Sequence, residues 1–211
     1  MNFKKVVAML MPLVLLLFSS LASAEKNQHI AGNYTILPGK DFKFDGKTVE
    51  IIEFLSFSCG TCYNFERQVP IIKGNFPNKI NWKIVPIYWG RHGSSRSGEA
   101  YLLAEEAGKG EEMKRALFNA KMVEKLDIGD FDVLENLAVK IGMGFDFSRK
   151  LRSGAKARES RQGIRMAGQY GVNGTPTLVI AGNIVTSPHS MNHDLDEFRT
   201  NVIAILKSIF K

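Results

Sequence analysis

Val49-Glu50-Ile51-Ile52-Glu53-Phe54-Leu55-Ser56-Phe57-Ser58-Cys59-Gly60-Thr61-Cys62-Tyr63-Asn64-Phe65-Glu66-Arg67 is the stretch on which the fold turns. Residues 48–56 alternate poorly and carry apolar side chains on both faces, which predicts a central buried strand. Beyond Cys59, residues Cys62, Phe65, Val69, Ile72 and Phe76 recur at steps of three and four, the apolar face of a helix. Pro70 removes a helical N–H and predicts a kink there. Ile80 to Tyr88 reads as the next strand, so the unit is strand–helix–strand and parallel.

Cys59 and Cys62 are the only two cysteines, and they sit at the strand-to-helix junction. Two thiols two residues apart in that place suit reversible disulfide chemistry. Cys59 falls at the helix start, where free N–H groups and the macrodipole favour a thiolate; Cys62 lies one turn deeper. A purely structural disulfide is the plain alternative, but so short a loop removes little entropy from the unfolded chain. A zinc site needs a second ligand pair. Of the histidines His29, His92, His189 and His193, only His189 and His193 have ligand spacing, and they are remote in sequence from the cysteines.

The N-terminus places this chemistry. Lys4 and Lys5 precede an uncharged apolar run from Val6 to Phe18, and Ser19 to Ala24 ends in an A-x-A pattern. That is the layout of a cleaved secretory leader, residues 1–24, on a chain exported to a compartment where disulfides persist. The formal charge is +7, of which the leader holds two lysines and no acid, leaving +5 on the mature chain. The densest basic run, Arg149 through Arg165, contains no aromatic residue, so it reads as a solvated helix face and argues against nucleic-acid binding. The excess charge favours acidic protein partners.

From Arg91 to about Gly168 the period is helical. Stripes run through Ala100, Leu103, Ala104 and Ala107, then Met113, Leu117 and Met122, then Phe131, Leu134, Leu137, Ala138 and Ile141. Breaks fall at Gly108-Lys109-Gly110, Asp127 to Asp130 and Gly142-Met143-Gly144. Strands return at Thr177–Ile180 and Asn183–Val185 around Ala181-Gly182, a hairpin signal. A last helix begins near Asp194, capped by Asn192 or Asp194, with Leu195, Phe198, Val202, Ile205, Leu206 and Ile209 as its buried stripe.

Glu53 to Glu66 resembles the active-site segment of the DsbA-type thiol:disulfide oxidoreductases, and Tyr170-Gly171-Val172-Asn173-Gly174-Thr175-Pro176-Thr177-Leu178-Val179-Ile180 resembles their cis-proline segment. The paired motifs, in this order and at this separation, cover nearly the whole mature chain. The resemblance implies an α/β thioredoxin fold, residues 25–92 and 169–211, interrupted by a helical insertion at 93–168. It also implies a cis Thr175–Pro176 bond beside the cysteines, no bound cofactor and no metal. The activity implied is a periplasmic monomer that donates its Cys59–Cys62 disulfide to reduced exported proteins. A quinone-linked thiol oxidase of the membrane would then reoxidise it. Many oxidant members carry CPHC and a valine before the proline, where this chain has Gly60, Thr61 and Thr175. Threonine at that last position is similar to the isomerase and reductase relatives, the nearest alternative. The dimeric isomerases, however, carry an N-terminal dimerisation domain that Glu25 to Thr48 is too short to form.

Role assignments follow. Cys59, the better exposed thiol, forms the mixed disulfide with a client, and Cys62 resolves it. A Cys59 pKa of about 5.5 would stabilise the reduced enzyme by roughly 2 kcal/mol at neutral pH, some 45 mV, because only the fall below ambient pH counts. Gly60 and Thr61 tune the pair, and the Thr175 hydroxyl is placed to bond a sulfur. Glu53, an acid within an apolar strand, resembles the family's buried proton carrier for the inner cysteine; the simpler reading is an acid at the strand edge facing water. Tyr63, Phe57 and Trp89 read as core or groove wall, and Arg91 and His92, following the second strand, read as bordering the site without serving it. In a different class stands a thioredoxin-like carrier of a soft metal ion such as Cu(I), against which the eight methionines form no Met-x-x-Met cluster near the cysteines.

Overall fold

The computed structural model describes residues 29–89 and 94–211. The leader at 1–24, Arg91 and His92 lie outside the described residues. Five strands, β1 (Thr35–Ile36), β2 (Val49–Leu55), β3 (Ile80–Pro86), β4 (Thr177–Ile180) and β5 (Ile184–Thr186), form one sheet in the order β1-β5-β4-β2-β3. Its helices are α1 (Gly60–Phe65), α2 (Val69–Asn75), α3 (Ser95–Glu106), α4 (Gly110–Phe118), α5 (Phe131–Lys140), α6 (Phe145–Arg152), α7 (Ala157–Gln169) and α8 (Leu195–Ile209).

β2 lies inside the sheet, parallel to β3 and antiparallel to β4, as its two apolar faces require. On one face Val49 and Ile51 pack with Phe65, Ile72, Phe198, Val202 and Ile205 from α1, α2 and α8. On the other, Ile52 and Phe54 pack with Ile87, Ala167, Val172 and Val179. The C-terminal end of β2 enters a third cluster, in which Leu55, Phe57 and Cys62 meet Tyr101, Leu117, Phe118 and Leu134 of the helices inserted between β3 and β4. The active-site turn is thus part of the same apolar core as the helical insertion. α7 closes against β3 at Gly163, where a Cβ would stand 2.7 Å from the Pro86 carbonyl oxygen.

Several local expectations are corrected. Pro70 kinks no helix: α1 ends at Phe65, and Pro70 falls in the first turn of α2, where a missing N–H breaks no helical bond. β3 stops at Pro86 rather than Tyr88, and Ile87 N–H still donates to Leu55 O at 2.8 Å. Asn183 belongs to the hairpin turn, whose Ala181 and Gly182 take positive φ of 50° and 83°. Past Phe118 the chain forms a π-helical turn, Asn119–Val123, which the Met113-Leu117-Met122 stripe does not foretell. The basic run spans two helices, α6 and α7, separated at Gly154 with φ 67°. Arg152 pairs with Asp132 and Glu135, and Lys150 and Lys156 pair with Glu106, while Arg158, Arg161 and Arg165 are exposed. Asp194, not Asn192, caps α8, its carboxylate accepting from Asp196 N–H and Glu197 N–H at 2.9 Å. β1, two residues long and paired to β5 at the sheet edge, has no periodicity by which to be foreseen.

Candidate active site

β2 ends at Leu55, and the turn that follows delivers Cys59 to the N-cap position of α1, with extended φ and ψ of −96° and 116°. Its Sγ therefore does what a capping oxygen would do: it accepts the Cys62 N–H at 3.2 Å. Cys59 is partly exposed and Cys62 is wholly buried, both as free thiols. From across the sheet, the Thr175–Pro176 segment leading into β4 closes on the pair, and its peptide bond is cis. The Cys59 thiol donates to the Thr175 carbonyl oxygen at 3.2 Å. The structure thus brings Cys59, Gly60, Thr61, Cys62, Thr175 and Pro176 to one place, from segments 116 residues apart.

The two sulfurs differ electrostatically. Hydrogen bonding from the Cys62 thiol, aided by the Thr175 side chain and the N–H groups of Cys62 and Thr61, outweighs partial burial and holds Cys59 down to about 6. Burial, with the Cys59 sulfur beside it, pushes the Cys62 thiol well above the ordinary range. At neutral pH Cys59 is mainly a thiolate, without the proton that its thiol form donates to the Thr175 carbonyl, and Cys62 is a thiol. A fall to about 6 rather than about 5.5 leaves one unit below pH 7, about 1.4 kcal/mol or 30 mV, smaller than the sequence suggested.

Glu53 does not face water at the strand edge; it is fully buried. It shares the β2 face of Val49, Ile51 and Leu55, and the parallel register with β3 sets it opposite Ile84, two residues from Trp82. Trp82 Nε1–H donates to Glu53 Oε2 at 2.8 Å, while Glu53 Oε1 is buried with no hydrogen-bond partner. Burial first, and then the nearby charge of Glu66, push the Glu53 carboxyl up to about 7. Trp82, Glu66 and Lys114 are functional candidates that sequence reasoning missed. The first was visible only as a strand residue; the last sits in a helix far along the chain, next to the apolar stripe and not part of it.

Phe57 and Tyr63 flank Phe118 with ring centroids at 5.3 and 5.9 Å, so both are core or wall residues, and Trp89 is 41% exposed. The His189 and His193 rings lie 4.5 Å apart, with His189 against Gly174. Among the described residues no group of three or more His, Cys, Asp or Glu side chains is placed to hold a metal ion.

A strand-borne dithiol at a helix start, facing a cis-proline loop across a sheet with a helical insertion, is the architecture of a thioredoxin-fold dithiol–disulfide exchanger. The chain belongs to the DSBA-like thioredoxin domain family, whose sequence model matches residues 50–200. Among similar proteins, the thiol:disulfide interchange protein DsbA of Haemophilus influenzae is 25% identical over 166 residues, 77% of this chain and 79% of that one. That of Burkholderia cepacia is 26% identical over 150 residues, 68% of each chain. The fold also matches the crystal structures of Pseudomonas aeruginosa DsbA (TM-score 0.68, 19% identity, covering 83% of this chain and 93% of that one) and Salmonella enterica serovar Typhimurium SrgA (TM-score 0.68, 23% identity, covering 85% and 99%). The protein is a thiol:disulfide oxidoreductase.

Proposed function

We propose that this oxidoreductase works in the oxidising direction, introducing disulfides into reduced exported proteins in the periplasm through Cys59 and Cys62. The observation that carries this reading is the asymmetry of the two sulfurs: an accessible thiolate held down to about 6 beside a buried thiol held high. Stabilising the Cys59 thiolate stabilises the reduced enzyme and so makes its disulfide a better oxidant.

The reaction starts from the Cys59–Cys62 disulfide. A client thiolate attacks Cys59 Sγ, the exposed sulfur; the Sγ–Sγ bond breaks and Cys62 leaves with the electron pair. Because Cys62 strongly prefers its proton, it takes one, and Glu53, raised to about 7 and matching the buried proton carrier of the resembled family, is the acid assigned to supply it. A second client thiolate then attacks the client's own sulfur in the mixed disulfide, and Cys59 departs as a thiolate, a good leaving group at its low pKa. The client leaves oxidised and the enzyme reduced. A membrane thiol oxidase linked to quinone restores the disulfide, and the protein acts as a monomer without cofactor. The matched DsbA proteins and the Lys4–Ala24 pattern support export. The isomerase or reductase reading draws on Thr175, whose side chain lowers both thiols.

The test is the equilibrium potential of Cys59–Cys62 against glutathione. An oxidase requires a potential clearly above the glutathione couple, with fast oxidation of a reduced client protein. A potential well below it, with rapid reduction of client disulfides, would overturn the oxidising assignment.

A further inference from the structure

The least expected side chain in the molecule is Lys114. It belongs to α4 of the insertion, yet its side chain is only 4% exposed. Lysine is almost never buried without a partner. Lys114 Nζ lies 2.7 Å from Glu66 Oε2 and 3.1 Å from Glu111 Oε2. Glu66 in turn closes the active-site helix: its N–H donates to the Cys62 carbonyl at 3.2 Å. Its other oxygen, Oε1, is buried without a hydrogen-bond partner, as is Glu53 Oε1. Burial favours the neutral acid at both carboxyls, wholly buried Glu53 and partly buried Glu66; the Lys114 ion pair opposes it at Glu66, and the two repel each other when both ionise.

We propose that Lys114 is a positioning residue for exchange: the insertion lends a buried cation to the Glu53–Glu66 carboxyl pair, so that Glu53 can both give and accept the Cys62 proton near neutral pH. This rests on the reading of Glu53 as the proton carrier for Cys62. Other charges bear on the pair from each neighbouring element. Lys73 of α2 weakly favours ionisation of both acids, Trp82 of β3 donates to Glu53, and Glu111 of α4 faces solvent beside Lys114. Tyr101 of α3 stays a neutral phenol, raised by burial and by Glu105. Within this set the effects on Glu53 have opposite signs: Glu66 raises it and Lys114 lowers it.

The consequence differs between the two half-reactions. When a client is oxidised, Cys62 leaves as a thiolate and needs a proton, which the neutral Glu53 holds. When the enzyme is reoxidised, Cys62 must lose its proton, and only the ionised Glu53 can take it. With glutathione disulfide as oxidant, the Cys59 thiolate attacks one sulfur and expels a glutathione thiolate. Cys62 then passes its proton to Glu53 and attacks Cys59 Sγ, expelling the second glutathione thiolate. Without Lys114 the carboxyl pair holds its proton to higher pH, so reoxidation slows and client oxidation does not. A one-unit rise from about 7 cuts the ionised fraction at pH 7 from about one half to one eleventh, roughly fivefold.

The experiment measures both half-reactions from pH 5 to 9, a reduced two-cysteine peptide being oxidised by the enzyme and glutathione disulfide reoxidising it. Variants are Lys114→Met, Lys114→Arg, Glu66→Gln and Glu53→Gln, each checked for folding by denaturant titration. Lys114→Met should move the carboxyl step up and slow reoxidation about fivefold at pH 7 while sparing peptide oxidation; Lys114→Arg should behave as the parent. Glu66→Gln should move the step down, which tests the proposal even if Lys114→Met fails to fold. A step lost in Glu53→Gln but unmoved in Lys114→Met, or not lowered in Glu66→Gln, overturns the role of Lys114. A step that survives Glu53→Gln overturns the proton-carrier reading beneath it.

Discussion

Thr175→Val tests how the thiolate is held. Valine keeps the branched shape of threonine and the carbonyl that accepts the Cys59 thiol at 3.2 Å, but removes the hydroxyl. Thr175 is 8% exposed, so water does not replace the lost donor. A charge-assisted hydrogen bond contributes about 1.5 kcal/mol, close to one pKa unit, which moves Cys59 from about 6 to about 7. The thiolate stabilises the reduced enzyme only above its pKa, so the loss depends on pH. At pH 5 parent and variant are both thiols and differ by almost nothing. At pH 7 the parent retains about one unit of stabilisation and the variant about a third of a unit, a difference near 1 kcal/mol and 20 mV. At pH 9 the difference approaches 30 mV. Because Cys59 is partly exposed, solvent screening makes these upper values. The sign is definite: the variant becomes the weaker oxidant, its potential more negative. The assay is equilibration with glutathione buffers at the three pH values, alongside thiolate absorbance to titrate Cys59. A potential difference that is the same at pH 5 and pH 9, or an unmoved Cys59 titration, would refute the assignment of the hydroxyl to the thiolate.

Other outcomes follow from the same geometry. Cys62→Ser should accumulate mixed disulfides with client proteins and Cys59→Ser almost none, since Cys62 is wholly buried; adduct mass spectrometry reads this, and equal trapping would reverse the roles. Glu53 has a folded pKa raised to about 7 from 4.5, so the native state binds the extra proton and loses stability as pH rises between those values. Glu53→Gln should therefore gain on the parent by about 2 kcal/mol between pH 5 and pH 8 in denaturant titrations, and a constant offset would show that the carboxyl is not held neutral. Gly163→Ala, ordinarily favourable in a helix, should lower stability by about 1–3 kcal/mol, because the new Cβ meets the Pro86 carbonyl at 2.7 Å and Val85 at 3.1 Å; an unchanged melting temperature would mean that α7 can lift from β3 without cost.

What was legible in the chain was local. The apolar run of β2, the two cysteines at the junction, the Ala181-Gly182 turn and the Asp194 cap are each written in a few consecutive residues, and their chemistry follows from residue type and spacing. The resemblance of two segments joined them into a family. Less legible were features whose cause lies elsewhere in the chain: the split at Gln68 that turns Pro70 into a helix start, the π-helical turn after Phe118, and the two-residue β1 held by β5.

The division runs through the site itself. Local spacing placed Cys59 at a helix start and did most to make it the acidic thiol, since the Cys62 thiol and N–H that it receives lie only three residues on, while the Thr175 contribution had to wait for folding. Charges act through space, and so only folding could decide the state of Glu53. Its partner Trp82 arrives by the register of β3, its repelling neighbour Glu66 by the turn of α1, and the cation Lys114 by the docking of α4, whose neighbours in sequence say nothing of Glu66. Burial, which raises that carboxyl most, belongs to no segment of the chain, because it arises only when sheet, active-site helix and insertion close over the same side chain.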